Sequence, residues 1–410
     1  MSCDPWFQGL FADRIGGANY GKGTEIYKFE KIKRAKRAVM AAHPERPLLD
    51  FGIGENDDMA DPLVREVAKR EIDKLENRGY ADNGIAEFKQ AAAGFMKKVF
   101  GVTLDAETEI NHAIGSKPAL AMLPAAFINP GDITLMTVPG YPVAGTHTKY
   151  YGGTVHDLPL REENGFYPDL GAIPEDVRQK AKLLVINYPN SPTGAVATRD
   201  FYKRVIDFAR KNSIVVVQDA AHILLSYGEP PLSFLQIDGA KEVGVEIHSM
   251  SKGFNMIGWR MAFVAGHAKI VQAFADVKDN SDSGQFMAIQ QASKTALDHA
   301  EIGDRTRAKY HRRLKKLVDA LNKVGFQAKM PGGTYFLYVK APKACGDRGF
   351  ANAEAASQFL IQEQSVICVP WDNAGAYLRF SATYLAPDEK MEDALMAETV
   401  NRLGRLQLRF

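Results

Sequence analysis

From about residue 85 to residue 270, short β-rich runs alternate with longer stretches of helical spacing. No other feature restricts the fold as much. "KLLVINYP" (182–189), "SIVVVQDA" (213–220), "GVEIHSM" (244–250) and "RMAFVAG" (260–266) are apolar and rich in β-branched residues. Near-continuous apolar runs of this length suit strands covered on both faces. Between the first two lies "TRDFYKRVIDFARKN" (198–212), whose apolar residues recur at helical spacing. Strands alternating with helices predict an α/β fold, a mainly parallel sheet with helices on both faces. In an open parallel sheet, ligands sit beyond the carboxyl ends of the strands. Polar residues gather at four such ends: Asn187 to Gly194, Asp219, Ser249 to Lys252, and "TVPGYP" (137–142).

After about residue 305 the pattern changes. A long helical stretch ("RAKYHRRLKKLVDALNKVGF") precedes "GGTYFLYVKA", another helical stretch, "VICVP" and "YLRFSATY". We expect a separate α+β layer there, joined by the segment before the central block. The boundaries are an N-terminal arm over 1–25, a small α+β domain from 26–65 and 300–410, and a large domain over 66–299. The basic run "YKFEKIKRAKRAVMAA" reads as the solvated face of a helix.

The balance of the 410 residues excludes several classes. Hydrophobic content is 46%, charged content 24% and net charge +2, so there is no nucleic-acid or membrane footprint. Cys3, Cys345 and Cys368 are far apart and form no metal or redox spacing. No apolar run approaches a membrane span, and the first residues do not read as a secretion signal. These features predict a cytoplasmic protein. "HTKYYGGTVH" holds two histidines without a third ligand, which argues against a metal site. "GIGEND" lacks the dinucleotide-binding fingerprint.

Lys252 follows a strand among Ser249, Ser251, Gly253 and Gly258. A lysine in a low-polarity crevice forms an imine with an aldehyde. Arg260 supplies a fork for a phosphate. Asp219, at the end of a buried strand, suits the protonated ring nitrogen of pyridoxal phosphate (PLP). Gly115 and Ser116 open a helix after a strand, where free N–H groups hold a phosphate. Tyr141 is an aromatic placed to stack on a planar ring. Taken singly, each has an ordinary reading as a cap, a turn or a surface side chain; together they form one constellation.

"DFGIGEND" (50–57), "GYADNGIAEFK" (79–89), "VPGYP", "INYPNSPTG" (186–194), "QDAAH", "SMSKGFNMIGWR" and "YLRFS" (377–381) run in order along nearly the whole chain. In this the chain resembles the class I/II aminotransferases, PLP enzymes of fold type I. The resemblance implies a seven-stranded, mainly parallel sheet with helices on both faces, a smaller α+β domain, and a homodimer with shared active sites. It implies that Lys252 forms the imine and shuttles a proton, and that Asp219 pairs with the ring nitrogen. Ser249, Arg260 and the amides of Ser116 and Lys117 would hold the phosphate, with Gly115 at the turn. Tyr141 would stack on the ring. Arg379 would clamp the substrate α-carboxylate, with Gly54 beside it. Lys117, directly after the phosphate-binding turn, reads from its position either as a surface helix lysine or as a cation for the distal carboxylate of a diacid substrate. Tyr80 and part of "KDNSDSG" would cross from the second subunit. Longer stretches, among them "IGSKPALAMLPAAFINPGD", "LPLREENGFYPDL" and "VKDNSDSGQF", resemble the branch acting on LL-2,6-diaminopimelate and 2-oxoglutarate. Transamination of another amino acid and PLP-dependent β-elimination share the same core residues.

Two positions depart from the family pattern. Ser191 stands where an Asn is usual, and His222 where a Tyr is usual. Both residues donate to the cofactor's phenolic oxygen in the family. The shorter Ser191 would need help from Asn187, Asn190 or water. A histidine at 222 would titrate near neutral pH.

Overall fold

The computed structural model describes residues 5–22 and 28–410. Cys3 and parts of the expected arm, residues 1–4 and 23–25, lie outside the described residues. The arm that is described has short helical turns at Asp13–Ile15 and Gly17–Asn19.

A seven-stranded sheet forms the centre. Its strands are β1 (Ile110–Ala113), β2 (Ile133–Val138), β3 (Thr154–Pro159), β4 (Ala181–Asn187), β5 (Val215–Asp219), β6 (Gly244–Ser249) and β7 (Ala262–Gly266), in the order β1-β7-β6-β5-β4-β2-β3. The pairs from β3 through β6 are parallel, whereas β7 lies antiparallel to both β6 and β1. Periodicity locates β7 correctly but carries no direction. The reversal follows from the connection over 250–261, which holds only the short helix Met250–Gly253 and a loop. With no full crossover helix, the chain returns beside β6 in the opposite sense.

The apolar runs are explained by burial on both faces. Leu184 and Ile186 of β4 and Val216 of β5 enter one core, with Phe88, Phe201 and Phe263. Leu183, Val185 and Val217 enter another, with Leu120 and Phe274. The helix Arg199–Asn212 shows how its sequence fits this position. The Thr198 side chain accepts from Phe201 N, capping the first turn, and Phe201, Tyr202, Val205, Ile206 and Ala209 form the buried face. Such a cap is worth about 1 kcal/mol.

A third core gathers Phe51, Leu314, Leu337, Phe380 and Leu403. It underlies a three-stranded antiparallel sheet of β8 (Phe336–Lys340), β9 (Val369–Trp371) and β10 (Tyr377–Ser381), in the order β9-β10-β8. The helix Lys28–Ala42 places Ile32 and Val39 on Ile361, Ile367 and Val369. Leu49–Asp50 pairs in parallel with Val366–Ile367, so the chain leaves this layer directly into Gly52 to Gly54.

Candidate active site

The carboxyl ends of β4, β5 and β6 open into a cavity of about 370 Å³, whose other wall comes from β8, β9 and β10. That volume suits a small ligand or cofactor. Gly54, Ser116, Lys117, Tyr141, Asn187, Ser191, Asp219, His222, Ser249, Lys252, Arg260 and Arg379 all line it. Two expected site residues do not. Gly115 sits behind the wall, against Arg260. Tyr80 is 83% exposed and lies away from the cavity, on a loop whose Ala81 bridges Gly284. A larger cavity, about 660 Å³, adjoins the first through Gly140, Pro142 and Trp371.

Asp219 ends β5 with its carboxylate fully buried. Burial pushes the group up to about 6, partly offset by the Ala221 N–H and the charges of Lys252 and His248. Its Oδ1 accepts from Ala221 N at 3.0 Å. Asn187 fixes the neighbouring strand end: its Nδ2 donates to the Asp219 carbonyl at 2.8 Å, and its Oδ1 accepts from Ser191 N at 2.8 Å. Asn187 is thus engaged in holding Ser191 and Asp219 side by side. Asn190 turns the other way, its Oδ1 accepting from Thr193 N and Oγ1.

Lys252 stands in the short helix capped by Ser249, whose side chain accepts from Ser251 N. Its Nζ donates to Gly54 O at 3.1 Å. Arg260 adopts φ +56°, the left-handed region that a long side chain rarely occupies. Its Nη1 donates to Ile257 O at 2.8 Å, and the guanidinium lies in the space left by Gly115. Gly115, at φ +87°, is the N-cap of the helix Ser116–Phe127, which has no side-chain cap. A helix N-terminus without a side-chain cap and a guanidinium therefore lie together, an arrangement suited to a phosphate.

Arg379 projects from β10. Its Nη2 donates to Gly52 O at 3.1 Å, and its guanidinium carbon lies 4.1 Å from the centre of the Phe336 ring. The planar fork is held by a carbonyl and an aromatic face.

His222 behaves differently from the expectation. Burial, reinforced by the charges of Lys252 and Arg379, holds the imidazole well below its usual value. The low-dielectric wall penalises the imidazolium and so favours the neutral ring. Its Nδ1 is buried with no hydrogen-bond partner among the described residues, and its ring meets Tyr335 edge-on at 5.3 Å.

Several lining residues were not anticipated: Phe29, Glu55, Tyr335, Phe336 and Trp371. The sequence signal for Tyr335 was the pair Gly332–Gly333 before it. A side chain at Gly333 would collide with Pro189, so the two layers touch there.

PLP fits these residues. Asp219 is a buried carboxylate whose complement is a protonated ring nitrogen, the His222 imidazole has an unsatisfied buried nitrogen, and the Gly115–Arg260 corner suits the phosphate.

The family model described as "Aminotransferase class I and II" matches residues 46–397, and the chain belongs to that family of PLP-dependent enzymes. Its relatives are specific. The LL-diaminopimelate aminotransferase of Methanocaldococcus jannaschii is 56% identical over 99% of this chain and 100% of its own. That of Aquifex aeolicus is 38% identical over 96% and 99%. Among solved structures, substrate-bound BacF from Bacillus subtilis superposes with a TM-score of 0.87 at 30% identity, covering 98% of each chain.

Proposed function

We propose that this enzyme transfers an amino group between LL-2,6-diaminopimelate and 2-oxoglutarate, giving glutamate and 2-amino-6-oxopimelate, which cyclises with loss of water to tetrahydrodipicolinate on the route to lysine. The observation that carries the chemistry is the convergence of Lys252, Asp219 and Arg379 on one cavity. The substrate follows from the full-length identity to the archaeal relative.

When bound, PLP supplies an electron sink that acidifies the substrate Cα–H bond. Asp219 would hold the ring nitrogen in its protonated form. Ser249, Arg260 and the first-turn amides of Ser116 and Lys117 would hold the phosphate, and Tyr141 would cover the ring. Arg379 binds the α-carboxylate with two parallel N–H···O bonds, orienting Cα toward Lys252. The Lys252 amine then moves the proton at Cα. Ser191 and His222, which line the same cavity, would serve the phenolic oxygen. Lys117 meets the far carboxylate of the diacid.

The working unit in this reading is a cytoplasmic homodimer in which Tyr80 reaches the partner's cavity. Its 83% exposure on the single chain supports such a role. No helix among the described residues is long and apolar enough to cross a membrane.

The test is turnover of LL-diaminopimelate with 2-oxoglutarate, followed as glutamate formed. Faster turnover of aspartate or alanine with the same acceptor would overturn the substrate assignment.

A further inference from the structure

Along the backbone from Gly52 to Gly54, three successive carbonyls each accept a side-chain hydrogen bond. Gly52 O accepts from Arg379, Ile53 O from Thr383 Oγ1 at 3.1 Å, and Gly54 O from Lys252. Gly54 O takes a second donor, the hydroxyl of Tyr335, at 2.7 Å. Both lone pairs of this one oxygen are therefore used, by the amine of Lys252 and by a phenol from the opposite layer.

Tyr335 is itself held tightly. Its side chain is fully buried and packs on Tyr310, Phe336 and His222. The residue before it, Thr334, has φ +68°, a left-handed conformation that is strained for a β-branched residue. That conformation is fastened on three sides. Thr334 N donates to Leu225 O at 2.9 Å, Thr334 O accepts from Tyr227 Oη at 2.7 Å, and Thr334 Oγ1 accepts from Phe336 N at 3.0 Å. Gly333 N donates to Gly194 O at 2.9 Å, tying the same turn to the loop that carries Ser191. Strain held by surrounding bonds in this way serves to aim a side chain. Here the chain aims a hydroxyl at the oxygen that the lysine bonds.

We propose that Tyr335 is a positioning residue for Lys252, acting through the Gly54 carbonyl oxygen that both side chains bond. The phenol fixes the direction of the carbonyl. The carbonyl in turn holds the lysine amine at one place in the cavity whenever that amine is not covalently engaged. The proposal rests on the reading of Lys252 as the reacting amine. Its consequence is selective. Arg379 binds through a different carbonyl, so substrate affinity does not depend on the Tyr335 hydroxyl, whereas every step needing a correctly placed lysine does.

The experiment uses Tyr335→Phe, which keeps the ring and removes only the hydroxyl. Apoenzyme is mixed with PLP, and covalent capture is followed by absorbance in a stopped-flow instrument. Steady-state kcat and KM are measured in parallel. We expect capture and kcat to slow roughly tenfold, the scale of one hydrogen bond, with KM and melting temperature unchanged. Tyr335→Leu, which also removes ring packing, should slow capture to the same degree while lowering the melting temperature. Unchanged capture and kcat in Tyr335→Phe would overturn the proposal. So would a loss confined to KM, or one matched by a lower melting temperature. Lys252→Ala separates this from the site reading: if it still captures PLP covalently, the lysine assignment fails, and Tyr335 with it. If Lys252→Ala loses capture and Tyr335→Phe does not, only the Tyr335 proposal fails.

Discussion

The space beside Gly115 is where the guanidinium of Arg260 lies. A Cβ on Gly115 would overlap the Arg260 Nη2, and the glycine's φ of +87° already disfavours a side chain. The same two residues frame the uncapped N-terminus of the helix Ser116–Phe127. Gly115→Ala therefore displaces the arginine from the phosphate corner. The expected result is a 10- to 100-fold loss of PLP affinity, about 1.5–3 kcal/mol for a hydrogen bond to a charged group. Titration of the apoenzyme with PLP, read by fluorescence, checks this. Affinity equal to that of the wild type would show that the arginine does not need that space.

Asp219 makes the apoenzyme sensitive to pH. Burial raises the carboxyl to about 6 in the folded chain, above its range when unfolded. The sign follows from linkage: the group's contribution to stability is fully present below pH 4 and is lost as pH rises through 6. The loss amounts to at most about 3 kcal/mol. Asp219→Asn removes it, so the variant apoenzyme should melt higher than the wild type at pH 7 to 8 and no higher below pH 4. The same variant should lose catalysis, because an amide does not hold the ring nitrogen protonated. Parallel melting curves of the two apoenzymes across the whole pH range would refute this account of the buried carboxylate.

The buried histidine yields a complementary prediction. His222 is held neutral by burial and by the neighbouring cations Lys252 and Arg379. Its protonation therefore contributes no limb to the rate profile between pH 6 and 8. His222→Gln, which removes the titratable ring, should lower the rate while leaving the shape of that profile unchanged. A limb present in the wild type and absent in His222→Gln would show that the imidazole does titrate there.

What the sequence disclosed and what it hid divide along a physical line. Asp219, Lys252, Asn187 and Tyr141 were legible because each lies at the end of a strand or just past it, where an apolar run gives way to a polar residue. Arg260 and Gly115 were legible as a charged fork and a helix-opening glycine, and the fold places them together. Tyr335, Phe336 and Trp371 were not legible as site residues. Phe336 and Trp371 belong to strands of the other layer and Tyr335 directly precedes one, and only packing between the layers brings them to the cavity. The direction of β7 was hidden because alternation and apolar content are the same for a strand read either way. The neutrality of His222 was hidden for a related reason: it depends on how completely the fold encloses the ring.

The loop carrying Gly54 is anchored at its far end by a buried ion network, which gives the last prediction. Arg313, almost wholly buried in the helix Glu301–Lys323, donates to Asp57 Oδ2 at 3.0 Å and to Glu392 Oε1 at 2.7 Å. It also donates to the carbonyls of Ala382, Tyr384 and Ala386. Burial alone would raise Glu392, but hydrogen bonds from Arg312, Arg313 and Lys316 outweigh it and hold the carboxyl at about 2. Its stabilising contribution is therefore present above the usual carboxylate range and is lost as pH falls toward 2. Arg313→Met fills the same space but removes one donor each from Asp57 and Glu392 and takes the guanidinium away from three carbonyls. Removing one partner from such a network costs about 3–5 kcal/mol, because the remaining charge stays buried. Lys309, bonded to Asp57 at 2.8 Å, offsets part of this at the Asp57 end. We expect a clear fall in melting temperature at neutral pH, and a smaller difference from the wild type at pH 3, because Glu392 with one donor fewer takes up its proton at a higher pH than in the wild type. Asp57 lies three residues from Gly54, so the variant should also slow PLP capture. A fall in melting temperature without slower capture would mean that the Gly52–Gly54 segment holds its shape independently of this anchor.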